Sequence, residues 1–193
     1  MDKEIIKFIG NPSKTALIIW DVQKILVEHI FNKNEFLNNT NFLIEHARKH
    51  NIPIFFTKIT PLPEKFESPV RRLMMKQRIR NFQFTPEGLE LAIKPQENDI
   101  IIEKNTASIF IGTNFELMVR NAGIDTLIFT GIATEYGVES STRDALNRGF
   151  YTIIARDAVS SSNKEAHFRS LENIQQLSFV LSSQEISDMW LQF

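Results

Sequence analysis

Six short apolar runs alternate with segments of helical spacing, and this pattern narrows the possible folds more than any other feature of the chain. The runs are Thr15–Trp20, Ile52–Thr57, Asp99–Lys104, Thr126–Thr130, Phe150–Ala155 and Ser178–Ser182. Each is rich in β-formers and too short for a buried helix. Between them, apolar residues follow helical spacing: Ile25, Leu26, Ile30 and Phe31, then Phe36, Leu37, Phe42 and Leu43, and later Ala166, Leu171, Ile174 and Leu177. Strands alternating with helices predict an α/β fold: a three-layer sandwich with a six-stranded parallel sheet, right-handed crossovers and helices on both faces. The 193 residues fit one such domain spanning 1–193.

The formal charge of −1 gives no electrostatic case for nucleic acid or an anionic membrane. With no cysteine, disulfides are excluded and a reducing, cytoplasmic location is expected. Met1–Gly10 carries acids and lysines where a signal peptide has its apolar core, and no uncharged apolar run approaches the length of a membrane span. No cofactor is expected, because no G-x-G-x-x-G follows the first strand.

The chemistry concentrates between Asp125 and Arg148, DTLIFTGIATEYGVESSTRDALNR. An apolar strand ends at Gly131, and a helix follows with Thr134 as its expected N-cap and Glu135 in its first turn. Backbone N–H groups around Ala133 to Gly137 then stand at a helix N-terminus on the carboxyl edge of a sheet, a place that stabilises anions. Two further strand ends carry charge. Thr15–Trp20 runs into Asp21-Val-Gln23, and Asp99–Lys104 ends in lysine before Asn-Thr-Ala-Ser-Ile-Phe110. A lone Asp in such a place is more often a turn or cap residue, a lone Lys is usually a surface charge, and Gln23 could simply bond locally.

GIATEYGVESSTRDA, the apolar-strand-then-D-x-Q pattern and E-K-N-T-A-S-I-F together resemble the isochorismatase-like, or cysteine hydrolase, superfamily. The resemblance covers nearly the whole chain and implies a Rossmann-like strand order. It assigns Asp21 and Lys104 to catalysis, with the Lys104 ammonium tuning and orienting the Asp21 carboxyl. The superfamily's nucleophilic Cys falls on Gly137, as in isochorismatases proper, which rules out thiol chemistry. Glycine there is expected to keep the backbone amide and open room beside Asp21. The resemblance further implies a cis peptide at Ile132–Ala133, oxyanion binding by backbone there, and Gln23 near the substrate. The implied reaction is hydrolysis of a vinyl ether of the isochorismate type, with Asp21 as general acid and no covalent intermediate. A catalytically inactive ligand-binding or assembly protein is the alternative. A small, anionic substrate and a homo-oligomer, dimer or tetramer, are expected. The apolar end, Met189-Trp-Leu-Gln-Phe193, suits an interface or the protein's own core equally well.

Other features weigh less. Nicotinamidases hold a metal with Asp and His after the second strand, but here no His follows until His167. His46 and His50 are four apart, yet EHARKH reads as a solvated helix end. Ser140 and Ser141 lie too far along the helix to replace the thiol. Pro61–Thr85 is a long connection with its own short helix and a basic run containing Arg71, Arg72, Arg78 and Arg80. An interface or surface role is expected for it first, substrate carboxylate recognition second. Pro86–Lys94 predicts a short helix, and Asp157 is expected to anchor a loop.

Overall fold

The computed structural model describes residues 3–78 and 85–193. Six strands, β1 (Thr15–Trp20), β2 (Ile54–Ile59), β3 (Ile100–Lys104), β4 (Thr126–Ile132), β5 (Tyr151–Ser160) and β6 (Phe179–Leu181), form one sheet in the order β3-β2-β1-β4-β5-β6. Every pairing is parallel, as expected. The chain builds outward from β1 in one direction, returns to β4 and builds outward in the other. The carboxyl ends of β1 and β4 therefore flank the crevice where ligands gather in open α/β sheets.

Strand alternation sorts the apolar residues into two cores. Leu17, Ile19, Phe56, Ile128 and Ile153 face α3 (Lys33–Lys49) and α8 (Ser183–Trp190), together with α1 (Lys3–Ile9). Ile18, Trp20, Phe55, Phe129 and Ile154 face α5 (Phe115–Asn121), α6 (Glu139–Asn147) and α7 (Lys164–Gln175). Gly123, with φ +69°, closes α5 in the left-handed conformation. Among the described residues, no helix is long and apolar enough to cross a membrane.

Several boundaries differ from expectation. The region after the first strand divides into α2 (Lys24–Val27) and α3, separated by residues 28–32. Helix α1 was not foreseen. The short helix expected over Pro86–Lys94 is absent. Its carbonyls are committed elsewhere: Glu90 O and Gly88 O accept from Lys24 N and Ile25 N (both 2.9 Å), and Ala92 N donates to Val22 O at 2.8 Å. The segment thus satisfies the orphan N–H groups that open α2, at the expense of a helix of its own. Met189 and Trp190 belong to the core, whereas Leu191 and Phe193 are exposed. Leu177, expected inward, is also exposed.

Candidate functional site

Strand β1 ends at Trp20, and the next residue leaves the sheet in a left-handed turn, Asp21 having φ +45°. Aspartate tolerates this region better than most residues. Thr57 on β2 secures the turn from both sides: its hydroxyl accepts from Asp21 N at 2.9 Å and donates to Asp21 Oδ1 at 2.5 Å. From the end of β3, Lys104 Nζ donates to Asp21 Oδ2 at 2.7 Å and to Thr106 O at 3.3 Å. The two side chains are 2% (Lys104) and 3% (Asp21) exposed. Three strands thus contribute to the surroundings of one carboxylate, and the Asp21–Lys104 contact that the resemblance implied is present.

Burial dominates the protonation of this pair. It raises the Asp21 carboxyl above its ordinary value, against the pull of Lys104 and Thr57, and it lowers the Lys104 ammonium against the pull of Asp21. Arg71, on α4 (Pro69–Arg78), is close enough to bias both, lowering Asp21 and opposing the charge on Lys104. It is held by Nη1 donating to Asn105 O at 2.7 Å, one residue past Lys104. Of the four arginines that sequence could not separate, Arg71 is one whose field reaches both members of the pair; the side chain of Arg78 is not among those described. Arg80 lies outside the described residues.

Across the crevice, β4 ends in a cis peptide at Ile132–Ala133, as the resemblance implied. The chain then makes a single wide π-type turn over Thr134–Val138 before α6 begins. Gly131 permits the approach of β4 to β1: with φ +109°, it sits where any Cβ would run into the Trp20 carbonyl. Thr134 does not cap the helix; its hydroxyl lies 3.2 Å from Ser160 O and 2.8 Å from His167 Nδ1. The buried donor and acceptor groups of β5 and α7 claim it before the helix end can. Ser170 on α7 continues this fastening, donating to Thr134 O at 3.2 Å and to Glu139 Oε2 at 2.6 Å.

Two expectations need correction. Gly137 leaves no open room: a Cβ there would fall inside the Trp20 indole, against Nε1, Cε2 and Cζ2. The ring fills the nucleophile's volume because residue 20 points to the same side of the sheet as α6. Gln23, completely buried, is a fastener and does not face a substrate. Its Nε2 donates to Ile59 O (3.2 Å) and Leu89 O (2.8 Å), and its Oε1 accepts from Ile59 N (2.9 Å). Those bonds tie the end of β2 to the 85–92 segment.

Asp157 is architectural: its Oδ1 accepts from Ser183 N and Oγ, both at 2.8 Å, and so satisfies a first-turn N–H of α8. His46 and His50 bond helix carbonyls, Nδ1 lying 2.8 Å from Phe42 O and 2.9 Å from His46 O. Ser141 is buried, 3.2 Å from Ile109 N, where it secures the loop after Lys104. Sequence reasoning missed Thr57 and Trp20 and did not single out Arg71. Thr57 and Trp20 sit inside apolar strands and carry no local mark of a site, and Arg71 is one arginine in a basic run.

The isochorismatase domain model matches residues 15–185. An uncharacterized isochorismatase family protein of Bacillus subtilis, YwoC, is 33% identical over 167 residues, covering 83% of this chain and 85% of the relative. A ureidoacrylate amidohydrolase of Pseudomonas savastanoi is 26% identical over 192 residues, 86% of this chain and 78% of that one. Among solved structures, a cysteine hydrolase from Pseudomonas syringae superposes with a TM-score of 0.85 at 20% identity, covering 94% of each chain.

Proposed function

The chain belongs to the isochorismatase family, and from that premise we propose that it is a hydrolase that uses Asp21 as its proton donor and forms no covalent bond to its substrate. The observation that carries this reading is the Asp21–Lys104 contact of 2.7 Å, sealed among Thr57, Trp20 and a glycine where a nucleophile would stand. A thiol route is closed, because the chain has no cysteine.

The substrate class follows from what such a pair can do. A carboxyl whose pKa is raised by burial is suited to act as a general acid. With an enol ether, Asp21 gives its proton to the methylene carbon, and positive charge develops on the ether-bearing carbon as an oxocarbenium ion. Water adds there and loses a proton, which returns to Asp21. The resulting hemiketal collapses to a ketone and an alcohol. Lys104 orients the carboxyl and stabilises the carboxylate present between the two transfers. Arg71 supplies positive potential at the same strand ends, which favours an anionic substrate such as isochorismate.

The test is pyruvate release from isochorismate by wild type and by Asp21→Asn. The variant keeps the shape and removes the acid, so a loss of about 10²–10⁴ in rate is expected. Equal rates would eliminate Asp21 as the acid. A second reading, ligand binding without turnover, is favoured by the burial of Trp20, Asp21 and Lys104, each no more than 3% exposed. Saturable isochorismate binding with no pyruvate from wild type would select it.

A further inference from the structure

Trp20 is the last residue of β1 and is only 1% exposed. Its indole does two things at once. It occupies the volume that any side chain at 137 would need. It also lies beneath the Lys104 ammonium, whose Nζ is 4.0 Å from a ring centroid and donates to Asp21 at 2.7 Å. A cation over an indole face is held by the ring's quadrupole, most strongly when water is excluded. The same ring therefore walls off position 137 and supports the lysine that orients the acid.

We propose that Trp20 is a positioning and specificity-determining residue of this site: it takes the seat of a nucleophile at 137 and holds Lys104 against Asp21, which restricts the site to reactions that form no bond to the protein. The inference rests on the hydrolase reading above for the chemistry left to the pair. It makes Gly137 a consequence of Trp20 as much as the absence of a thiol. A cysteine restored at 137 alone has nowhere to go, and reopening the thiol's seat takes a change at residue 20 as well.

The test needs no substrate. Gly137→Ala in the wild-type background is expected to lower Tm by about 5–10 °C, since overpacking a filled core site is destabilising. In a Trp20→Val background the same change is expected to cost little, a clear departure from additivity. Additive shifts in Tm would overturn the steric claim. Should Trp20→Val fail to fold, Trp20→Leu carries the same cycle, because a leucine ends short of the indole Nε1, Cε2 and Cζ2 that meet residue 137.

Because the chain has no cysteine, Trp20→Val/Gly137→Cys carries a single thiol. Its thiolate displaces iodide from iodoacetamide, at a rate set by the thiolate fraction and by access. Beside the Lys104 ammonium, alkylation at pH 7 is expected to run about tenfold faster than in the same protein carrying Lys104→Met. Gly137→Cys with Trp20 intact is expected to be unstable or unreactive. A single variant as stable and as reactive as the double one would overturn the proposal.

The positioning role has its own signature. The Lys104 ε-methylene protons should resonate upfield through the indole ring current, an effect kept by Trp20→Phe and lost in Trp20→Val. Ordinary shifts in wild type would refute it. These outcomes are independent of turnover. A failed steric cycle leaves Asp21 as the acid, and a failed activity assay leaves the interlock of Trp20 with Gly137.

Discussion

Lys104 meets Asp21 at 2.7 Å, and Arg156 meets Glu185 at the same 2.7 Å, yet the two carboxyls move in opposite directions from their ordinary values. Asp21 is raised because burial outweighs its partners. Glu185, whose side chain is 52% exposed, is lowered to about 2, chiefly by the Ser182 backbone N–H and hydroxyl and only then by Arg156. An equal distance says little about an ion pair until its surroundings are known. At the sheet crevice the fold removes water from a carboxyl and raises its pKa, which is of use to an acid catalyst. At the start of α8 the fold offers donors to a solvated carboxylate, which is of use to a helix end.

The sharpest way to break this contrast is to remove one cation from each pair. Lys104→Met strands a carboxyl in a dry site, and losses on taking one partner from a buried pair run to about 3–5 kcal/mol. Asp21→Asn/Lys104→Met, which removes both charges, is expected to recover most of that loss. Arg156→Met should change stability by less than about 1 kcal/mol, as exposed pairs do. Chemical denaturation of the four proteins checks all three statements. Equal costs for Lys104→Met and Arg156→Met would mean that burial does not separate the two pairs.

The same contrast explains what could be read before any coordinates. The parallel sheet was legible because its central strands, β1 and β4, are buried on both faces and so appear as unbroken apolar runs, as in Thr15–Trp20. Asp21 and Lys104 were legible because the motifs around them resemble those of a known family; charge at a strand end alone reads as a turn residue or a surface group. Trp20 was not, because a buried aromatic at a strand end looks the same whether it fills a core or the seat of a nucleophile. Its role depends on Gly137, which lies more than a hundred residues away and meets it only across β1 and β4. Thr134 and Gln23 were misplaced for a related reason. Their side chains bond to whichever buried backbone or ring partner the tertiary fold brings near, and local spacing assigns them a cap or a ligand instead. The expected helix over Pro86–Lys94 failed likewise, because α2 claimed its carbonyls.

A neutral buried grouping extends the comparison. His167, 3% exposed and 2.8 Å from Thr134 Oγ1, lies between Phe31 and Phe168. Burial lowers it from its ordinary value of 6.5. A histidine lowered on folding adds stability that is present above its unfolded value and lost as pH falls through its folded one. Stability should therefore decline below about pH 6.5, and His167→Leu should blunt that decline. At pH 7.5 the same substitution should cost about 1–3 kcal/mol through the lost bond to Thr134. Denaturation midpoints measured across pH 5 to 8 distinguish this from a histidine that titrates in solvent, for which the two proteins would show parallel profiles.

The smallest effect belongs to the exposed carboxylate. Glu185 accepts from Ser182 N at 2.7 Å and from Ser182 Oγ at 2.9 Å, while Ser182 Oγ caps Glu185 N at 3.2 Å. With its value held near 2 in the folded protein against 4.5 ordinarily, Glu185 contributes stability that is full above pH 4.5 and disappears as pH falls toward 2. Half the side chain faces solvent, so screening reduces that contribution. Ser182→Ala removes the cap and the Oγ donor while leaving the Ser182 N–H and Arg156 in place, and should cost about 1 kcal/mol at neutral pH. Ser182→Ala removes the Oγ bond but keeps the backbone N–H, the largest cause, and Arg156→Met removes two smaller ones, so each should raise the Glu185 value while leaving it below 4.5. Carboxyl chemical shifts followed by NMR from pH 2 to 6 check this, and a Glu185 value unmoved in Ser182→Ala would mean that the hydroxyl does not hold this carboxylate.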